Sequence, residues 1–209
     1  KLFLKQIITS VGIRPHRSIY YAKTDTFYII SSQDQAIFSL GYNKEEVFIK
    51  SSQLIPELSG QYCRSITIWD DLIYFVGNYK IVIYKLSENS LTFISTIDLN
   101  RLYIRPNDLY FFSNQSAILT CTPKKAFLFK DLSEIKNGTA TDISSEFLGT
   151  PYYVSHFDDK IWIPEINQYS RICSFDIVKE KISFLSRKVY FSSGPPSPES
   201  ISRKNLYPL

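Results

Sequence analysis

The sequence has no methionine, seven glycines, two histidines and three cysteines among its 209 residues. Each shortage excludes something. Cys63, Cys121 and Cys173 stand far apart, odd in number and without a CxxC pair. They suit neither a disulfide framework nor a zinc site, and are expected as buried free thiols. Two histidines without ligand spacing imply no metal. No apolar run exceeds five or six residues, far short of the ~20 that span a bilayer, so no membrane insertion is expected. GxxxxGK[ST], GxGxxG, GxSxG and HExxH motifs are all missing, so no cofactor is implied. The 24 basic and 20 acidic residues are interspersed, with no basic stripe to hold nucleic acid. With no methionine at position 1, the chain reads as starting at a processed end or within a longer protein, and its opening KLFLKQIIT lacks the apolar core of a signal peptide. Asn114-Gln-Ser116 and Asn137-Gly-Thr139 fit the N-glycosylation pattern, but such triplets are common. The compartment stays open, with a lean to a secreted or cell-surface setting.

What is present points to β-structure. Apolar residues make up 44% of the chain and charged residues 21%, as in globular proteins. Fifteen tyrosines and fifteen phenylalanines favour strands. The chain also repeats. Ile13-Arg14-Pro15 recurs as Ile104-Arg105-Pro106, 91 residues later. Trp69-Asp70-Asp71-Leu72-Ile73-Tyr74-Phe75 matches Phe157-Asp158-Asp159-Lys160-Ile161-Trp162-Ile163, 88 residues later. Each long offset contains two units. Within a unit, short runs rich in Ile, Val, Phe and Tyr are bounded by Asn, Asp, Ser or Gly. The spacing predicts strands at Thr26–Ile30, Ala36–Leu40, Glu46–Lys50, Leu72–Val76, Lys80–Leu86, Leu91–Leu99, Lys125–Leu132, Arg171–Ile177 and Lys181–Leu185. Residues 132–138 form at most one helical turn.

Four strands per 40–50 residues resemble the blade of a β-propeller. The RPH…TFYIISS stretch from Arg14 to Ser32 resembles that of uncharacterised bacterial propeller proteins. WD-repeat and kelch signatures are absent. The resemblance implies an all-β array of four to five four-stranded blades, with a β-sandwich as the structural rival. The repeats cover roughly 13–57, 60–103, 104–148 and 149–192, with a partial unit at 194–209, in a single domain over 1–209. Residues 2–9 are expected as an outermost strand. The array is then either an incomplete ring or a piece of a larger propeller.

Turn landmarks fall at Pro15, Tyr62, Pro106, Pro151 and Pro196. In a propeller these turns ring one mouth of the central channel. Just before the landmarks stand Arg14, Gln61, Arg105 and Thr150. Just after come His16, Cys63, Asn107 and Tyr152, and next Arg17, Arg64, Asp108 and Tyr153. Arg14, His16, Arg17, Arg64, Arg105, Asn107, Tyr152 and Tyr153 are the candidate ligand-binding residues. Guanidinium groups hold carboxylate, sulfate or phosphate, and tyrosine rings offer flat faces to sugars or peptides. The bland alternative is a set of solvated turn residues, with Arg105 pairing Asp108. No catalytic residue is assigned. His16 has a suitable reference pKa but no evident partner, and His156 reads as a turn cap. The Asp70-Asp71 and Asp158-Asp159 pairs read as tight turns. The expected function is a non-enzymatic binding or scaffold module whose rim takes an acidic glycan or a peptide or protein partner. The alternatives are an enzyme on a carbohydrate or lactone-like substrate, and a structural arc of a larger assembly.

Overall fold

A computed structural model describes residues 6, 8–43, 46–87, 90–113, 116–157, 159–166, 171–176 and 181–184. The chain forms four antiparallel sheets in succession, arranged as the blades of a ring. The first holds β1 (Pro15–Tyr21), β2 (Thr26–Ser31), β3 (Ala36–Tyr42) and β4 (Val47–Leu54). The second holds β5 (Ser65–Trp69), β6 (Leu72–Val76), β7 (Lys80–Ser87) and β8 (Ser90–Asp98). The third holds β9 (Arg105–Ser113), β10 (Ser116–Thr122), β11 (Lys125–Phe129) and the short β12 (Thr141–Asp142). In the fourth, β13 (Thr150–Pro151) and β14 (Ser155–Phe157) both pair with β15 (Lys160–Ile166). Next come β16 (Ile172–Asp176) and β17 (Lys181–Phe184).

Alternation explains the packing. The residues of a strand point to opposite sheet faces in turn. In β6, Ile73 and Phe75 join a core against the first sheet, while Tyr74 and Val76 join a core against the third. Both faces are buried, so the strand reads as an unbroken apolar run. In β7 the same division sends Val82 and Tyr84 one way and Ile81 and Ile83 the other. In β10, Ala117, Leu119 and Cys121 face the second sheet, and Ile118 faces the fourth. The outermost strands β4 and β8 are mostly exposed and carry more polar residues, although Phe48, Leu54, Phe93 and Ile94 are also exposed. All three cysteines are buried and free.

Turn chemistry follows the sequence. Asp70 and Asp71 both take positive φ, 50° and 60°, in the two-residue turn joining β5 to β6. Gly12 has φ of 88°, and a Cβ there would sit 2.3 Å from the Ser31 hydroxyl oxygen, so glycine meets both a backbone and a space requirement.

Several strand expectations need correction. The strand predicted over Lys125–Leu132 stops at Phe129, and α1 (Leu132–Asn137) begins instead. The Asp131 carboxylate accepts the Ser133 amide and Glu134 reaches back to the cap, so local capping overrides the apolar pattern. Within the expected strand at 2–9, described Gln6, Ile8 and Thr9 are not in a strand. Gln6 instead bonds the Val47 backbone through its side-chain amide, at 2.9 Å and 2.8 Å. The other positions of that stretch, Asn114, Asp158 and the fifth turn with the partial unit at 194–209, lie outside the described residues. His156 is an exposed residue of β14 beside the Tyr110 ring, not a turn cap. No described helix is long and apolar enough to cross a membrane.

Candidate functional site

The innermost strands converge on Asp108. This residue of β9 is fully buried, although the sequence places it among open turn positions. Its carboxylate touches every sheet. Arg17 of β1 donates to Oδ2 at 2.6 Å, and the Val154 amide donates to the same oxygen at 2.7 Å. The Ser65 hydroxyl of β5 and the Leu109 amide donate to Oδ1, the latter at 3.0 Å. Burial pushes the Asp108 carboxyl up from the ordinary range, and Arg17, Ser65 and the two amides pull it back. The expected local pair of Arg105 with Asp108 does not form. Arg17, from the opposite blade, holds that carboxylate instead.

The same contact explains why the fourth blade's inner strand is split. Val154 gives its amide to Asp108 rather than to β15, and the ladder resumes only at Ser155. Asn107 is also buried, beneath the mouth. Its Oδ1 accepts from Arg64 at 2.8 Å and from Thr122 at 3.0 Å, and its amide donates to the Pro151 carbonyl at 3.0 Å. Asn107 therefore orients Arg64 rather than lying open at the surface. Asn78 accepts from Arg64 Nε at 3.3 Å and fixes the same guanidinium from the second sheet.

Above this floor the mouth is lined by arginine and tyrosine. Three guanidinium groups lie over tyrosine rings: Arg14 over Tyr62, Arg17 over Tyr153 and Arg105 over Tyr79, at 5.7, 5.1 and 5.4 Å from the ring centres. Arg105 also donates to the Tyr79 hydroxyl at 2.7 Å. A small pocket of about 190 Å³ opens among Arg14, His16, Tyr62, Arg64 and Tyr152. Among the described residues, Arg14, Arg64 and Arg105 have no carboxylate within ion-pair distance. His16 Nδ1 lies 2.8 Å from the Tyr153 hydroxyl, a partner invisible in the sequence. Burial lowers the His16 pKa, a backbone contact with Arg64 opposes this, and the charges of Arg14, Arg64 and Arg17 lower it further. The Tyr153 hydroxyl is pushed up to about 12, chiefly by burial, so it stays protonated near neutrality.

The mouth thus joins Arg14, His16, Arg64 and Tyr152 around one pocket, with Arg17 and Tyr153 just beneath and Arg105 on a neighbouring tyrosine. Sequence reasoning passed over Tyr62 and Tyr79 as ring partners and Ser65 as an Asp108 donor. Tyr62 and Tyr79 lie in the inter-strand turns, and the repeat spacing carries no signal for their ring contacts.

No protein-family model matches the chain, and no curated protein is significantly similar to it. Solved structures do match. A candidate 6-phosphogluconolactonase of Bacteroides uniformis aligns with TM-score 0.57 and 11% identity, over 82% of this chain and 53% of that one. The WD40 domain of Neurospora crassa Pan2 aligns with TM-score 0.57 and 12% identity, over 81% and 48%. YCF48, solved bound to a D1 peptide, aligns with TM-score 0.51 and 11% identity, over 70% and 46%. The chain spans about half the length of these structures. At such identities the likeness concerns architecture alone, and with the four radially arranged sheets it identifies the fold as a β-propeller.

Proposed function

We propose that this chain is a binding module whose channel mouth holds the acidic group of a ligand, either an acidic glycan or a carboxylate of a peptide or protein partner. One observation carries the reading. Three guanidinium groups at the mouth have no carboxylate partner among the described residues, while the buried Asp108 is fully engaged by Arg17 and three other donors. Arginine offers planar paired donors to an oxyanion, and Asn107 and Asn78 hold Arg64 ready for that task. Tyr62 and Tyr152 beside the pocket supply flat surface for the rest of the ligand. YCF48 binds a peptide on the same architecture, which supports a peptide partner.

The test is a thermal-shift and calorimetric titration with sulfate, phosphate, acetate, galacturonate and short peptides bearing a free carboxylate. Ligand that binds only the folded state raises Tm by mass action. A saturable, salt-sensitive rise with one class, lost in Arg14→Gln with Arg64→Gln, is expected. No rise with any of them overturns the reading. A second reading, an enzyme acting on a lactone-like carbohydrate, draws support from the likeness to the candidate 6-phosphogluconolactonase. Hydrolysis of a sugar lactone above the spontaneous rate, lost in the same variant, would favour it.

A further inference from the structure

A second cleft lies at the far end of the blades, between the second and third sheets, and nothing in the mouth's chemistry uses it. It encloses about 400 Å³, within the range of small-ligand pockets. Aromatic rings line its floor. The rings of Trp69 and Phe111 stack 5.6 Å apart at 19°, and Tyr74 meets Phe111 at 4.8 Å. Trp69 and Phe111 are half-buried and both line the cleft, so the pair leaves aromatic surface open to it. Trp69 ends the five-residue strand that Arg64 precedes, which puts the cleft roughly 16 Å from the mouth at ~3.3 Å per residue.

The edge of the cleft carries charge. Lys130, just before α1, and Lys136, in its last turn, are exposed and make no ion pair among the described residues. Asp131 also lines the cleft, but its carboxylate accepts the Ser133 amide as the helix cap. Tyr74 lines the cleft, and its hydroxyl has no hydrogen-bond partner among the described residues. Burial, then the charges of Asp70 and Asp131, push it up to about 12, so it remains a donor at neutral pH. A stacked aromatic floor, an unused donor and two unpaired cations together describe one ligand chemistry.

We propose that this cleft is a binding site for a small molecule with a flat aromatic body and an anionic group, the ring lying on Trp69 and Phe111 and the anion meeting Lys130 and Lys136. The site is separate from the mouth and stands whether or not the mouth binds anions. The chain has two tryptophans, Trp69 and Trp162, so an amide NMR spectrum shows two indole N–H signals, which Trp162→Phe assigns. The probes are 2-naphthoate and its uncharged twin 2-naphthamide, titrated into the full chain. The expected result is a saturable shift of the Trp69 signal with the Trp162 signal still, and about five-fold weaker binding of the amide than of the acid. The doubly substituted Lys130→Gln, Lys136→Gln chain should bind both probes equally. Both changes are on exposed side chains, so folding should be unaffected. A Trp69 signal that does not move, or that moves together with Trp162 without saturating, overturns the proposal. Equal affinity for the two probes in the unaltered chain overturns the part played by the lysines.

Discussion

Replacing Asp108 by asparagine tests whether the carboxylate that touches all four sheets helps to hold them together. The amide is nearly isosteric, so no cavity forms. Its oxygen can still accept from Ser65 and Leu109. In that orientation its NH2 faces the Val154 amide and the Arg17 guanidinium, both donors, which sit 2.7 and 2.6 Å from the carboxylate oxygen now; turned over, it faces the Leu109 amide instead, 3.0 Å from the other oxygen. One buried amide loses its acceptor, at about 1–3 kcal/mol. The ion pair is lost as well. Removing one partner of a fully buried pair costs about 3–5 kcal/mol, but the Arg17 side chain keeps 24% of its surface, so solvent compensates part of that. A total near 3 kcal/mol follows. Urea unfolding of Asp108→Asn, Arg17→Gln and the double variant measures it. The two losses should not add, with a coupling of at least about 1.5 kcal/mol, because both remove the same contact. A loss under about 0.5 kcal/mol, or strict additivity, would show that the four sheets do not depend on this carboxylate.

Two further outcomes are expected. Folding lowers the His16 pKa, so the unfolded chain takes up its proton first as pH falls. The stability due to neutral His16 is therefore complete above ~6.5 and is lost as pH falls through the folded value. Arg14, Arg17, Arg64 and the Tyr153 hydroxyl face the ring, and an anion among these guanidinium groups favours the charged imidazole. Sulfate should accordingly bind about five-fold tighter at pH 5.5 than at pH 7.5, and calorimetry of His16→Gln should show a flat profile; a slope that survives the substitution assigns the proton elsewhere. Tyr74→Ala should cost about 3 kcal/mol because the ring is buried between two sheets, whereas Tyr74→Phe should change the urea midpoint very little, its hydroxyl having no hydrogen-bond partner among the described residues. A large loss in the phenylalanine variant would reveal a bond for that hydroxyl.

Much of the architecture was legible because strand alternation and turn chemistry are local. The β6 run Leu72–Val76 is apolar throughout since both its faces are covered, and Asp70-Asp71 takes the left-handed turn that such a pair favours. The 91-residue offset placed Arg17 and Asp108 at equivalent positions of the first and third blades. What that offset did not carry is direction. Equivalent residues on facing blades point at each other across the channel, so two positions read as parallel members of a rim are the partners of one ion pair.

The same limit applied to the mouth. Arg14, His16 and Arg64 were identifiable from turn spacing, but the depth of each was not. Asn107 and Asp108 look like ordinary turn residues in a one-dimensional pattern, and burial makes them the supports on which Arg64 and Arg17 rest. The helix at Leu132–Asn137 and the broken inner strand of the fourth blade have related causes. In one a capping box, in the other a distant carboxylate, took backbone amides that a strand would have used. The sequence by itself determined the periodicity, the strand content and the turns, because these depend on neighbours along the chain. The tertiary structure decided which polar groups are buried and paired and which cations remain open, because electrostatic partners and solvent exposure depend on residues brought together from about 40 to 140 positions apart.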